Sequence, residues 1–270
     1  MRRLTGFDCE GNWCTATLDE GSKTTGLLIV SGGNEIRSGA HAGQAALATH
    51  VSALGFPVFR YDRRGVGESE GDNCCFESSA ADIAAAVTAF RNEAQHLQRI
   101  VAFGNCDAAS ALALFHAGLP VDRIVLANPW VIEVGPEAEA PAQPSAAAIR
   151  ARYWARLKNP RSLIDLFTGK IDLRKLAGGL ARAAQNEAPT GLAQRIARAL
   201  STSTTPLTIL LANHDTTAMA FIAAWKGSAF DDVRGRSDID VQILDSASHS
   251  FADASSKAWL REQIEKTLVG

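Results

Sequence analysis

Cys106, Asp215 and His249 are the residues whose types and order could do covalent chemistry. Cys106 lies in FGNCDAASA, after RIVA, which reads as the end of a buried strand, and before ALALFHAG, whose spacing predicts a helix. A nucleophile on so sharp a strand-to-helix turn is pushed out above a sheet, and only small neighbours fit around it. Gly104, Ala108 and Ala109 meet that demand, and the helix N-terminus directs its partial positive charge at the sulfur, favouring thiolate. LLANHDTTA sets Asp215 just past another strand, and VQILDSASHSFAD sets His249 in the loop after the last one. In such a set the histidine takes or holds the thiol proton, while the carboxylate orients and stabilises the imidazolium. His214 and Asp245 are rivals for the histidine and carboxylate roles. The turn Gly32-Gly33-Asn34 after LLIVS could aim the backbone N–H groups of Gly33 and Asn34 at a developing oxyanion, with the N–H of Asp107 as the other donor.

Other cysteines and histidines read more plainly. A free cysteine is commonly a small apolar filler, and Cys9, Cys14, Cys74 and Cys75 are taken in that sense. The odd set of five cysteines lacks zinc-ligand spacing, and adjacent Cys74 and Cys75 form no ordinary disulfide, so all are expected as free thiols with no metal or cofactor. His41, His50, His96 and His116 fall in or beside helical patterns and read as surface or packing residues.

The elements that must position the reactive groups follow from periodicity. GLLIV from Gly26, PVFRYD from Pro57, RIVAFG from Arg99, RIVLANP from Arg123, PLTILLAN from Pro206 and VQILD from Val241 are short apolar runs suited to strands covered on both faces. AGQAALATHVSALG, ending at Gly55, and SSAADIAAAVTAFRNEA, starting at Ser78, carry helical spacing. Alternating strand and helix predict right-handed crossovers and a doubly wound, mostly parallel α/β sheet flanked by helices. WCTATLDE, from Trp13, alternates and is expected as an antiparallel edge strand. Between 131 and 205 no strand is legible, and a helical insertion over a core formed by 1–130 and 206–270 is the expected division. From Arg150 to Arg182 that insertion carries nine basic residues against Asp165 and Asp172.

The totals bound the remaining classes. A chain of 270 residues that is 46% apolar can bury a large single core. A net charge of -2, with charges interspersed, gives no footprint for nucleic acid or an anionic membrane surface. No apolar run reaches the roughly 20 residues of a membrane span, and MRRLTGFDCE does not read as a secretory signal. A cytoplasmic location is the expectation.

YDRRGVGESEG, from Tyr61 to Gly71, resembles the Asp-x-Arg-Gly-x-Gly-x-Ser signature of α/β hydrolases, whose triad runs nucleophile, acid, histidine in chain order. More narrowly, GGNEIRSGAH, GNCDAASA, NPWV, TGKIDLRKL, NHDTTA and SHSF together resemble the exosortase A system-associated hydrolases of the first type, between Leu27 and Phe251. That resemblance implies an α/β-hydrolase fold with a helical lid and a cytoplasmic protein encoded beside machinery for exopolysaccharide and surface protein sorting. Two positions depart from the family pattern: Ala108 stands where glycine is usual, and Ser248 where an acid precedes the histidine. Arg37 and His41 match the pattern after the glycine turn, Arg37 as a substrate- or loop-orienting residue. Trp130, in NPWV, is a candidate for the pocket wall or for the core.

A cysteine nucleophile forms a thioester-linked acyl-enzyme, which makes an ester or acyl thioester the natural small-molecule substrate, with water or another acceptor releasing the product. A basic lid could also receive an acidic acyl carrier protein. The leading expectation is a cysteine-dependent hydrolase or acyltransferase. The alternative is a non-catalytic scaffold that holds an acyl chain or a partner.

Overall fold

The computed structural model describes residues 1–132 and 191–270. The eight strands are β1 (Arg2–Cys9), β2 (Asn12–Asp19), β3 (Thr25–Val30), β4 (Val58–Tyr61), β5 (Arg99–Asn105), β6 (Arg123–Ala127), β7 (Leu207–Ala212) and β8 (Ile239–Leu244). They form one sheet in the order β1-β2-β4-β3-β5-β6-β7-β8. From β4 onward through β8 every pairing is parallel, while β1–β2 and β2–β4 are antiparallel. All six apolar runs expected as strands are strands. WCTATLDE is antiparallel as expected, but it is not the edge: β1 pairs outside it along its whole length, from Arg2 opposite Asp19 to Cys9 opposite Asn12. Strand β1 escapes a periodicity reading because its apolar residues are few, and only Phe7 and Cys9 are buried.

Helices α1 (Gly43–Ala53), α2 (Ala80–Glu93), α3 (Asp107–Phe115), α4 (Gly191–Ser201), α5 (Thr216–Trp225), α6 (Asp231–Arg234) and α7 (Ala254–Val269) are the described ones. Near-continuous apolar strands bury both faces of the sheet, and the helices supply the two covers. On one face Leu47 and Val51 of α1 pack with Ile264 and Leu268 of α7 against Leu27, Ile29, Phe103 and Leu210. On the other, α2, α3, α4 and α5 cover Leu28, Ala102, Leu126 and Ile209. Most of the stretch expected as a helical insertion, residues 133–190, lies outside the described residues. Its last part does not: α4 buries Leu192, Ala193, Ile196, Ala197 and Leu200 in the same core as α3. Among the described residues no helix is long and apolar enough to cross a membrane.

Strand β3 pairs with both β4 and β5. The connection after β3 therefore leaves toward one side of the sheet and that after β5 toward the other. Their carboxyl ends open a crevice at this switch point, the place where ligands bind in open α/β sheets.

Candidate active site

The turn between β5 and α3 hangs on Cys106, whose φ of 60° and ψ of -125° lie outside the ordinary regions for a side-chain-bearing residue. Strain of this kind persists only when the surroundings over-determine it. Here the Cys106 N–H donates to the Ala127 carbonyl at 2.9 Å, and the Cys106 carbonyl accepts from Ser110 N–H and Trp130 N–H, both at 3.2 Å. Close approach of helix to strand fixes the neighbours. A Cβ on Gly104 would stand 2.7 Å from the carbonyl carbon of Ala108. Removing that one methylene-sized volume lets α3 press onto β5 with Ala108 1% exposed, so alanine at 108 fits without disturbing the turn.

Asp215 caps the N-terminus of α5. Its Oδ2 accepts the Ala218 N–H at 3.0 Å and also lies 3.0 Å from His249 Nδ1. The carboxylate is buried, 6% exposed, so its position is set by the helix as well as by the ring. His249 is pushed up to about 10 from an ordinary 6.5, first by the Asp215 hydrogen bond and then by its engagement with the Cys106 side chain, against the opposing effect of burial. The Asp215 carboxylate thus favours the charged form of the ring, which lines the same pocket as Cys106. The rivals are spent on each other: His214 Nε2 lies 2.7 Å from Asp245 Oδ1 at the exposed surface, away from the elbow.

Two asparagines to which the sequence reading gave no role, Asn105 of GNCDAASA and Asn128 of NPWV, hold the histidine loop. Asn128 Nδ2 donates to the His249 carbonyl at 3.0 Å, and Asn105 Nδ2 donates to the same oxygen at 3.2 Å. Asn128 is fully buried and its Oδ1 accepts the Ala212 N–H at 2.9 Å, which ties β6, β7 and the His249 loop together. Ser248, standing where the resembled family has an acid, accepts the Ala252 N–H on its hydroxyl at 2.8 Å.

Cys106, His249, Trp130, Phe76, Asp107 and Glu35 are among the residues lining one pocket of about 690 Å³, counting its open mouth. Trp130 is therefore at the pocket wall, half-buried and packed also against the core. Arg37 is not among the lining residues. Its guanidinium and its backbone N–H both donate to the buried Asp62 carboxylate, and its Nε donates to Thr17 Oγ1 at 3.0 Å, which makes it a loop anchor. Arg64 of the same signature bonds Asp82 at 3.0 Å, so YDRRG serves to pin the loops around the site.

The glycine turn departs from its expected arrangement. The Gly33 N–H donates to both Asp107 carboxylate oxygens, at 2.6 and 2.7 Å, rather than facing the pocket as a vacant donor. The reason is steric and local: a Cβ on Gly32 would lie 2.3 Å from Asp107 Oδ1, so glycine there gives the carboxylate its path to the turn. Burial pushes the Asp107 carboxyl up, while the Gly33 hydrogen bond and the Arg63 charge pull it back down. Asn34 is exposed and outside the pocket lining, its Oδ1 accepting from Asn73 Nδ2 at 2.6 Å. The Asp107 N–H, at the first position of α3, has no intrahelical partner by its place in the helix.

All five cysteines are free, as expected. Cys9 and Cys14 are buried fillers, and burial pushes the Cys14 thiol up to about 12. Cys74 and Cys75 are not fillers: both are exposed in the loop between β4 and α2, where Phe76, not the thiols, packs against the core.

Comparison with known proteins bears on the same elements. A family model described as serine aminopeptidase, S33, matches residues 23–252, a range that includes Cys106, Asp215 and His249. No curated protein matches in sequence. Among solved structures, an esterase of Pyrococcus furiosus superposes with a TM-score of 0.66 at 12% identity, covering 98% of this chain and 89% of that one. Est1E of Butyrivibrio proteoclasticus, a structure with ferulic acid bound, gives 0.62 at 14% identity, covering 98% of each chain. An α/β hydrolase of Sphaerobacter thermophilus gives 0.56 at 19% identity, covering 97% of this chain and 100% of that one. At these identities the likeness establishes an α/β-hydrolase fold.

Proposed function

The chain belongs to the serine aminopeptidase S33 family of α/β hydrolases, and from that premise we propose that it is a hydrolase or acyltransferase of esters or thioesters with Cys106 as nucleophile. The family description names serine, and this chain carries cysteine at the elbow. The observation that carries the reading is the placement of His249, 3.0 Å from Asp215 through Nδ1 and lining the same pocket as Cys106. A ring whose charged form is favoured by a carboxylate suits a thiolate–imidazolium pair, which needs no proton removal at the moment of attack.

In this mechanism the Cys106 sulfur adds to the acyl carbon, and the tetrahedral oxyanion collapses to a thioester as His249 gives its proton to the leaving oxygen or sulfur. Neutral His249 then takes a proton from water or another acceptor, which attacks the thioester and regenerates the thiolate. Asp215 keeps the ring in one orientation and stabilises its charge throughout. The Asp107 N–H is one oxyanion donor, and the Gly33 N–H is the other once its carboxylate partner yields. With a thioester donor the first exchange is close to balanced, since one thioester replaces another.

The finer assignment rests on the motif resemblance described above: a protein of the exosortase A system-associated type, acting near exopolysaccharide and surface-sorting machinery. Of the segment 131–205, the part before α4 is proposed to contribute a lid, whose basic residues between Arg150 and Arg182 would receive an acyl carrier protein. Catalytic efficiency toward a carrier-bound acyl group should then fall as salt rises, and a flat response removes the carrier from the proposal.

The nucleophile is tested by intact-mass spectrometry after mixing with a panel of acyl thioesters and activated esters. One acyl adduct is expected on the wild type and none on Cys106→Ala. An undiminished adduct or burst in that variant rules the assignment out. Alkylation at neutral pH should modify Cys106 ahead of exposed Cys74 and Cys75, with Cys9 and Cys14 protected.

A further inference from the structure

The Gly33 N–H and the Asp107 carboxylate form the least expected contact of the site. One N–H serves one strong acceptor at a time, and here it is held by an ionisable group at 2.6 and 2.7 Å. A charge-assisted bond of this type is roughly twice as strong as a neutral one. A neutral ester carbonyl entering the pocket therefore cannot take the donor unaided. Among the described residues the carboxylate has no direct ion pair with lysine or arginine, so its backbone bonds hold it in place with only the more distant Arg63 charge beside them.

The pocket around it is anionic in a specific way. Asp107 and Glu35 both line it, with no lysine or arginine among its described lining residues; His249 is the titratable base among them, and Arg63 lies behind the wall, donating to the Gly33 carbonyl. Two carboxylates disfavour a substrate carboxylate or phosphate next to the reacting carbonyl, and the imidazolium disfavours an ammonium at the same place. A neutral hydrogen-bond donor suits both. Phe76 and Trp130 supply apolar wall for the remaining carbons of the acyl group.

We propose that Asp107 makes this site selective for hydroxyacyl groups: a hydroxyl close to the carbonyl donates to the Asp107 carboxylate, and the Gly33 N–H so released receives the carbonyl oxygen. The substrate thereby completes the oxyanion site with its own hydroxyl. An acyl group without that hydroxyl must leave the carboxylate without a partner in the pocket, or be attacked with one backbone donor missing. This inference rests on the Cys106 reading above and narrows its substrate class.

The test compares 4-nitrophenyl butyrate with its 2-hydroxy and 3-hydroxy analogues, on wild type, Asp107→Ala and Asp107→Asn. Wild type is expected to favour at least one hydroxy ester by about tenfold or more in kcat/KM. In Asp107→Ala that preference should collapse to near unity, with the plain butyrate turned over faster than by wild type. Asp107→Asn keeps an acceptor of the same shape for the Gly33 N–H without the charge, so it too should gain on plain butyrate even if the alanine variant folds poorly. Equal kcat/KM for all three esters in wild type overturns the proposal, as does a hydroxyl preference that survives in Asp107→Ala. Cys106→Ala separates the two levels. If it still forms the acyl adduct, the nucleophile assignment fails; if it is inert while wild type treats the three esters alike, the selectivity inference alone fails.

Discussion

The side-chain amide of Asn128 donates to the backbone carbonyl of His249 at 3.0 Å, joining residues 121 positions apart in the chain. The imidazole is thus aimed from two directions: Asp215 fixes the ring, and Asn128 with Asn105 fixes the peptide that carries it.

Asn128→Ala is expected to cost roughly 2–4 kcal/mol of stability, because it strands the buried Ala212 N–H and removes a donor from the His249 carbonyl. It should also lower kcat more than it raises KM, since the fault lies in aiming the histidine. Denaturant titration and steady-state kinetics on the same preparation check both parts. A variant of normal stability and normal kcat contradicts the role.

The His249 ring gives a pH dependence of definite sign. Its folded value, about 10, lies above the ordinary 6.5, so protonation favours the folded state. That contribution is fully present below about pH 6.5 and is lost as pH rises through about 10. The stability difference between wild type and His249→Gln should therefore shrink across this window. In NMR the ring should titrate near 10 in wild type, and in Asp215→Asn its midpoint should drop toward the ordinary range, because the largest cause of the shift has gone. An unmoved midpoint refutes the carboxylate's part.

Cys106→Ser should fold as wild type but form acyl adducts slower by about 10²-fold or more. A hydroxyl is a far weaker acid than a thiol, so serine needs the ring as a neutral base, while Asp215, the largest cause of the raised value, still favours its charged form. Comparable rates for serine and cysteine would mean that His249 works as a neutral base.

Gly104→Val places branched carbon against the main chain of Ala108, where even a Cβ would sit 2.7 Å from the carbonyl carbon. The expected outcome is a loss of roughly 1–3 kcal/mol and of the acyl adduct together, read by thermal melting and intact mass. A variant that melts lower yet acylates normally would show that the elbow tolerates displacement of α3.

The sequence made the sheet and the tight strand-to-helix corner at Cys106 legible because both depend on local signals. Runs such as RIVAFG declare buried strands by composition, and Gly104, Ala108 and Ala109 declare a tight turn by size. It also put Asp215 and His249 at strand ends, though it could not separate them from Asp245 and His214. The separation comes from geometry: the rivals sit close enough to bond one another at 2.7 Å. Asn105 and Asn128 stand inside the motifs GNCDAASA and NPWV, yet their role was not legible, since an asparagine at a strand end reads as a turn residue until its distant partner is seen. Strand β1 was missed because an outer strand with a single covered face needs few apolar residues. The Gly33–Asp107 contact depends on the spare volume at Gly32, which no pattern of residue types records.

Trp130 is hydrogen-bonded through its N–H to the carbonyl of Cys106, and its own carbonyl accepts the Ser110 hydroxyl at 2.6 Å. The chain leaving β6 is in this way stapled to the peptide that bears the sulfur and to the first turn of the helix behind it. The sulfur-bearing peptide and the strand exit at Trp130 thus share their hydrogen bonds directly, and a substitution that displaces Trp130 reaches Cys106 with no residue in between.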